Sequence, residues 1–87
     1  MIDFDAWAAD EVRGRRWHES QQVMELPKGV LRLTLRLNNI EEVEKWVMGF
    51  GLHATVVRPK LLRERIRNTS VKLAARYEDP EQAVSSV

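Results

Sequence analysis

Hydrophobic and polar residues alternate most clearly in residues 30–37. Leucine occupies positions 31, 33, 35 and 37, and the positions between them carry Arg32, Thr34 and Arg36. A period of two is the signature of a β-strand with one buried face. We therefore predict a strand whose leucines pack in the core and whose arginines lie on an open face.

Three shorter segments are also predicted to be extended. Residues 2–4 alternate and read as the end of a strand, and residues 21–26 lead into the leucine strand through a turn at residues 27–29, Pro-Lys-Gly. Residues 54–57 are rich in β-branched side chains, and Pro59 ends that strand.

Helices are predicted between these strands. Asp5 is a candidate N-cap for an alanine-rich helix over residues 6–16, which should end near Gly14. Asn39, followed three residues later by Glu42, nearly matches the capping box. The helix that follows should bury one stripe and stop at its glycines: Ile40, Val43, Trp46, Val47 and Phe50, then Gly49 and Gly51.

A last helix is predicted over about residues 61–77. Its expected buried stripe consists of Leu62, Ile66, Leu73 and Tyr77, and the weak helix formers at residues 68–70 should interrupt it. Residues 79–87 read as a flexible tail.

The resulting order, β-α-β-β-α-β-α, predicts an α+β fold of the ferredoxin-like βαββαβ type with an additional C-terminal helix. In that plan both helices cover one face of a four-stranded antiparallel sheet in the spatial order 4-1-3-2, so the first and third strands are central. The first strand is short for a central position. We therefore expect residues 1–78 to form one domain with a truncated first strand, as the C-terminal piece of a longer protein.

Length and composition narrow the function. A chain of 87 residues with 44% hydrophobic content can form one packed domain. It has no cysteine, which excludes disulfides, cysteine-ligated metals and a cysteine nucleophile. His18 and His53 do not form a metal-binding pattern, and neither has an evident carboxylate partner by spacing. With no glycine-rich phosphate loop either, we expect a protein that is not an enzyme and needs no metal or cofactor.

Charge is segregated along the chain, although the net charge is only +1. Residues 1–12 carry four acids and no Lys or Arg, residues 13–36 carry six Lys or Arg against two acids, and residues 58–76 carry seven against one. This pattern is consistent with a basic surface or with ordinary solvated faces. Because no segment has the apolar length of a membrane span or the form of a secretory signal, we expect a cytoplasmic protein.

The run at residues 13–21, RGRRWHESQ, carries a resemblance to a known family. It is similar to a signature, R-x-R-R-W-H-x-S-Q, in the C-terminal extension (WCX-type) domain of WYL-domain transcriptional regulators. The similarity continues through G-F-G at residues 49–51 and P-x-x-L-R-E at residues 59–64, and it spans about residues 2–78. This chain has Leu52 and Lys60 where the family often has proline.

The resemblance implies a bacterial regulator with this ferredoxin-like domain after a helix-turn-helix and a central WYL domain. It implies effector sensing, including single-stranded nucleic acid as effector, and homodimer formation. Neither a helix-turn-helix nor a WYL motif occurs in these 87 residues, so sequence-specific binding of duplex DNA is not assigned to the chain.

Six residues are candidates for contact with a nucleic acid or a small anionic effector: Arg13, Arg15, Arg16, His18, Arg32 and Arg36. Each also has a structural interpretation. Arginines at the end of the first helix complement its dipole, those on the open sheet face fit an interface, and His18 could bond backbone near the hairpin. Two alternatives therefore stay open: a dimerisation and domain-packing module without a ligand, and a small-molecule sensor. Trp7 points away from the predicted core and could contact a neighbouring domain.

Overall fold

The computed structural model describes residues 1–36 and 38–78. Strands and helices alternate in the predicted order. The elements are β1 (Ile2–Phe4), α1 (Ala6–Val12), β2 (Gln22–Glu25), β3 (Leu31–Thr34), α2 (Ile40–Met48), β4 (Ala54–Val56) and α3 (Lys60–Ala75). The strands form one sheet in the order β2-β3-β1-β4, and every neighbouring pair is antiparallel. The predicted α+β class and strand order are confirmed.

Strand β1 is central although it has only three residues. Ile2 lies opposite Leu33 on one side and Val56 on the other. The carbonyl of Met1 accepts hydrogen bonds from the backbone N–H groups of Val57, at 2.8 Å, and Arg58, at 3.3 Å. These bonds continue the contact between the first and last strands beyond the regular pairing.

Strand β3 is shorter than the eight-residue alternation suggested, because regular pairing with β2 ends at Thr34. Its alternation is as predicted: Leu31 and Leu33 are fully buried, and Arg32 and Thr34 are half-buried on the other face. Leu35 is half-buried against the core. The predicted inward position of Leu37 lies outside the described residues.

The hydrophobic core lies between the sheet and the helices. Its fully buried larger side chains are Phe4, Ile2, Leu31, Leu33, Leu62 and Val12. Phe4 packs edge-to-face against Trp46 and Phe50, two aromatic residues of the buried stripe predicted for the second helix. The centroid of its ring lies 5.7 Å from that of Trp46 and 5.0 Å from that of Phe50. This arrangement is favoured by the quadrupoles of the rings, and it confirms the predicted inward orientation of Trp46 and Phe50.

Both predicted N-caps are present. Asp5 Oδ1 accepts the N–H of Ala8 at 3.1 Å. Asn39 Oδ1 accepts the N–H groups of Glu41 and Glu42 at 3.1 and 3.2 Å. Helix α1 ends at Val12, two residues before its predicted end near Gly14, because the backbone of the following residue is already extended.

Helix α3 corrects two predictions. It is continuous through residues 68–70, where an interruption was expected. Thr69 Oγ1 donates to Glu44 Oε1 at 3.1 Å, so a contact with α2 offsets its weak helix propensity.

The expected buried stripe of α3 is also only half correct. Leu62 is buried and Ile66 half-buried, but Leu73 is 47% and Tyr77 79% exposed. The reason is length. At 1.5 Å per residue, sixteen residues extend about 24 Å, whereas the nine residues of α2 extend about 13 Å. The distal part of α3 therefore reaches past the helix it packs on. The predicted flexible tail, residues 79–87, lies outside the described residues.

Candidate functional site

The segment between α1 and β2, residues 13–21, is held by its own hydrogen bonds. Gln21 Oε1 accepts the backbone N–H of Trp17 at 2.7 Å, and Gln21 Nε2 donates to the carbonyl of Arg15 at 2.9 Å. Gln21 N–H in turn donates to the carbonyl of His18 at 3.1 Å. One glutamine thus closes the loop and fixes the direction of the side chains between Arg15 and itself.

His18 has a defined partner within the same loop. Its Nδ1 accepts the backbone N–H of Ser20 at 3.1 Å, and the Ser20 hydroxyl lies 2.7 Å from the same nitrogen. Ser20 Oγ accepts the backbone N–H of Arg36 at 3.0 Å, which leaves its O–H to donate to His18. Accepting these bonds places the proton of the neutral ring on Nε2. The predicted structural role of His18, bonding backbone near the hairpin, is therefore observed.

This loop borders an open cavity of about 350 Å³. The lining residues come from the loop, from the segment after β3 and from α2: Trp17, His18, Leu35, Arg36, Asn38, Asn39, Glu42, Val43 and Trp46. The ring centroids of Trp17 and Trp46 lie 4.9 Å apart, and the two ring planes meet at an angle of 53°. The cavity thus combines an aromatic wall with a small set of polar groups, as ligand sites usually do.

The indole of Trp17 has a further property. Its Nε1–H is buried and has no hydrogen-bond partner among the described residues. A buried donor without a partner costs free energy. The guanidinium of Arg15 lies 5.7 Å from the centroid of the same ring, within cation–π distance. Cationic, aromatic and hydrogen-bonding groups are therefore concentrated around Trp17.

The structure separates the six predicted effector residues into two groups. His18 and Arg36 line the cavity, Arg15 lies over its Trp17 wall, and Arg16 is exposed in the same loop. Arg13 and Arg32 are engaged with carboxylates elsewhere.

Arg13 joins the end of α1 to β2. Its Nε and Nη2 donate to the two oxygens of Glu25 at 2.9 and 3.0 Å, and its Nη1 contacts Asp10. The hydrogen bonds to Glu25 raise the pKa of Arg13, and the same bonds lower the pKa of Glu25. The pair is solvent-exposed, so its main effect is to fix geometry.

Arg32 lies on the open face of the sheet and pairs with Asp3, the residue opposite it on β1. Its Nε and Nη2 donate to the two Asp3 oxygens at 2.7 and 2.8 Å, a bidentate arrangement. The hydrogen bonds to Asp3 raise the pKa of Arg32. Two free arginines were expected on this face, but one of them, Arg32, is paired with a carboxylate of the neighbouring strand.

His53 corrects a further expectation, because it does have a carboxylate partner. Its Nδ1 lies 2.7 Å from Asp5 Oδ2, and its ring stacks on Trp7 with centroids 4.1 Å apart. The hydrogen bond with His53 lowers the pKa of Asp5. Since the other Asp5 oxygen caps α1, this cluster ties the start of α1 to the start of β4. Trp7 is nevertheless 71% exposed, in agreement with the prediction that it points away from the core.

Several lining residues were assigned only structural roles by sequence reasoning, notably Asn39 and Trp46. Their sequence signals, a helix cap and a buried stripe, do not show which loop lies beside them. Within residues 1–36 and 38–78, no group of three or more His, Asp or Glu side chains is placed to hold a metal ion. None of the helices in that part of the chain is long and apolar enough to cross a membrane.

Comparison with known proteins agrees with the loop signature and the fold. A search of curated proteins finds no match. The family model of the WCX domain matches residues 1–74, well over half of the length. The chain therefore belongs to the WCX domain family.

Proposed function

We propose that this WCX domain, a regulatory domain associated with WYL-type regulators, senses an anionic effector at the cavity beside Trp17. One observation carries the proposal: His18 and Arg36 line the same cavity as the aromatic rings of Trp17 and Trp46. The domain acts by binding and not by catalysis, in a bacterial cytoplasmic protein.

The lining indicates the chemistry of the effector. The guanidinium of Arg36 suits a phosphate or carboxylate, and it is exposed at the rim with no ion pair among the described residues. The two indoles offer apolar surface to a planar group. A volume of about 350 Å³ is at the small end of the range for ligand pockets, about 300–1,000 Å³. The effector is therefore a small aromatic anion or one nucleotide unit of a single strand.

Arg15 and Arg16 extend this site along the loop, whereas Arg13 and Arg32 are less available. A ligand at either of the latter has to displace Glu25 or Asp3. The proposal therefore places Arg36, Arg15 and Arg16 in contact with the effector and gives Arg13 and Arg32 the role of holding the loop and the sheet. The hydrogen bond from Arg36 N–H to Ser20 couples the two sides of the site. Through that coupling, binding is relayed to the WYL and helix-turn-helix domains of the intact protein.

A second candidate function is dimerisation and domain packing without a ligand. Strand β2 is at the sheet edge, and all four of its residues are exposed, including Val23 at 45% and Met24 at 58%. An edge strand with exposed apolar side chains is a template for pairing with another chain. This observation favours a homodimer interface at β2.

The test is a titration of the purified domain into fluorescein-labelled oligo(dT), followed by anisotropy at low and high salt, together with thermal shifts induced by mononucleotides. We expect saturable binding that weakens with salt. Arg36→Gln should weaken it about tenfold or more, as expected for loss of a charge-assisted contact. Lys45→Gln, which removes an exposed cation of α2 outside the cavity lining, is the matched control.

Each outcome separates the two functions. If neither oligo(dT) nor a mononucleotide binds at low salt, a nucleotide effector at this cavity is refuted and the packing role becomes the leading function. Equal losses in the two variants would refute the cavity as the site. Sedimentation of the same samples tests the second function, because a dimer paired through β2 should dissociate in Met24→Lys and not in Arg36→Gln.

A further inference from the structure

A second cavity, of about 500 Å³, lies along the start of α3. It is lined by Val57, Arg58, Lys60, Arg63, Glu64 and Arg67. Four cations and one carboxylate give this basic groove a formal net charge of +3. It shares no residue with the cavity beside Trp17, and none of its residues was singled out for binding from the sequence.

The helix period places these cations together. Lys60, Arg63 and Arg67 are spaced by three and four residues and therefore lie on one side of α3. Arg58 joins them from the connecting segment, which is fixed by its backbone bonds to Met1 at 3.0 and 3.3 Å. The groove is therefore built on a helix and an anchored segment.

Three arginines elsewhere in the domain, Arg13, Arg32 and Arg65, have carboxylate partners, and the arginines of the groove have none among the described residues. Arg65, on the side of α3 that faces α2, donates to Glu44 Oε2 at 3.1 Å. Arg58, Arg63 and Arg67 form no ion pair with any carboxylate in the described ranges, and Lys60 approaches Glu64 only at 3.8 Å. Like charges one turn apart on a helix repel each other. The groove therefore holds unneutralised charge that an anion would stabilise.

We propose that the basic groove binds a chain of phosphates, such as the backbone of a nucleic acid, independently of the cavity beside Trp17. Residues 60–67 rise by about 10 Å along the helix axis, so the groove is long enough to contact more than one phosphate of a strand. Arginine forms bidentate bonds with phosphate oxygens. No aromatic side chain lines the groove, so bases have no stacking surface and the contact is to the backbone alone.

The test uses a fluorescein-labelled abasic oligonucleotide, which has a phosphodiester backbone without bases. The variant Arg63→Gln/Arg67→Gln removes two cations of the groove. Lys72→Gln/Arg76→Gln is the matched control, because it removes two exposed cations with the same spacing farther along the helix. Circular dichroism checks that both variants keep their helix content.

We expect the groove variant to bind the abasic strand about tenfold more weakly and to show a shallower salt dependence. For single strands each lost phosphate contact reduces the slope of log K against log salt by about 0.7, so the two together remove about 1.4. The control variant should bind as the unchanged domain does. Inorganic polyphosphate should compete, and poly-glutamate at equal charge should compete far less.

The following results would overturn this proposal. They are failure of the abasic strand to bind, equal losses in the groove and control variants, and competition by poly-glutamate as strong as that by polyphosphate, which would make the groove a site for acidic peptides. A loss in Arg36→Gln with no loss in the groove variant would place all binding in the first cavity. The two proposals can therefore fail separately.

Discussion

Replacement of Leu62 by alanine tests how α3 is attached to the domain. Leu62 is fully buried, and it is the single fully buried side chain of α3 within the described residues. Deleting a buried leucine costs about 3–5 kcal/mol, since transfer energy is lost and a cavity remains. A domain of this size has a total unfolding free energy of about 4–13 kcal/mol. We therefore expect Leu62→Ala to remove a large fraction of the stability.

The neighbouring leucine provides the control. Leu61 is 59% exposed, so Leu61→Ala should cost about 0.5 kcal/mol or less. The two variants have the same composition and differ only in which side of α3 loses a side chain. Urea unfolding followed by tryptophan fluorescence measures the difference, and Trp46 in the half-buried shell of the core provides a suitable signal. In thermal unfolding, a loss of about 3 kcal/mol corresponds to a fall in Tm of about 12–24 °C.

The reasoning would be refuted by equal losses in Leu61→Ala and Leu62→Ala. It would also be refuted by a loss below about 1 kcal/mol in Leu62→Ala, since that result would mean that α3 is not anchored through the core. An unchanged urea m-value in Leu62→Ala is expected, because the same surface is exposed on unfolding.

Three further predictions concern caps, pH and turns. Asn39→Ala should cost about 1 kcal/mol in thermal unfolding, because it removes the N-cap of α2, whereas Asn38→Ala should cost less than half as much. The pKa of Asp5 is lowered in the folded state. The stability that the ionised carboxylate contributes is therefore present above its unfolded pKa of about 4 and is lost as pH falls through the folded value. The fall in Tm between about pH 5 and 3 should therefore be shallower in Asp5→Asn, and an identical fall would contradict the assignment. Gly29→Ala should destabilise more than Gly14→Ala in urea unfolding: both have positive φ, but only at Gly29 would a new Cβ meet another side chain, at 3.1 Å.

Ion pairing is the feature of the candidate site that sequence reasoning could least predict. Arg32 and Asp3 are 29 residues apart in the chain, and they meet because β1 and β3 are neighbours in a particular register. A shift of that register by one residue would move Asp3 to the other face of the sheet. Whether an arginine is free to bind a ligand therefore depends on strand pairing, which counts of charge along the chain do not reveal.

The cavity beside Trp17 likewise combines residues that the sequence points to with residues that only the packing brings there. The sequence already points to His18 and Arg36, but the wall opposite them is supplied by α2, including Val43 and Trp46. These residues have the ordinary pattern of a buried helical stripe. Their position beside the loop of residues 13–21 follows from how α2 packs across the sheet.

The local features of this domain were determined by the sequence alone. The alternating leucines, the caps at Asp5 and Asn39 and the order of the elements depend on periods and short-range bonds, which are encoded within a few residues. The tertiary structure decided which arginines are neutralised, where α3 leaves the core, and which side chains enclose the two cavities. These properties arise from contacts between residues distant in the chain, and such contacts are set by the packing of the whole domain.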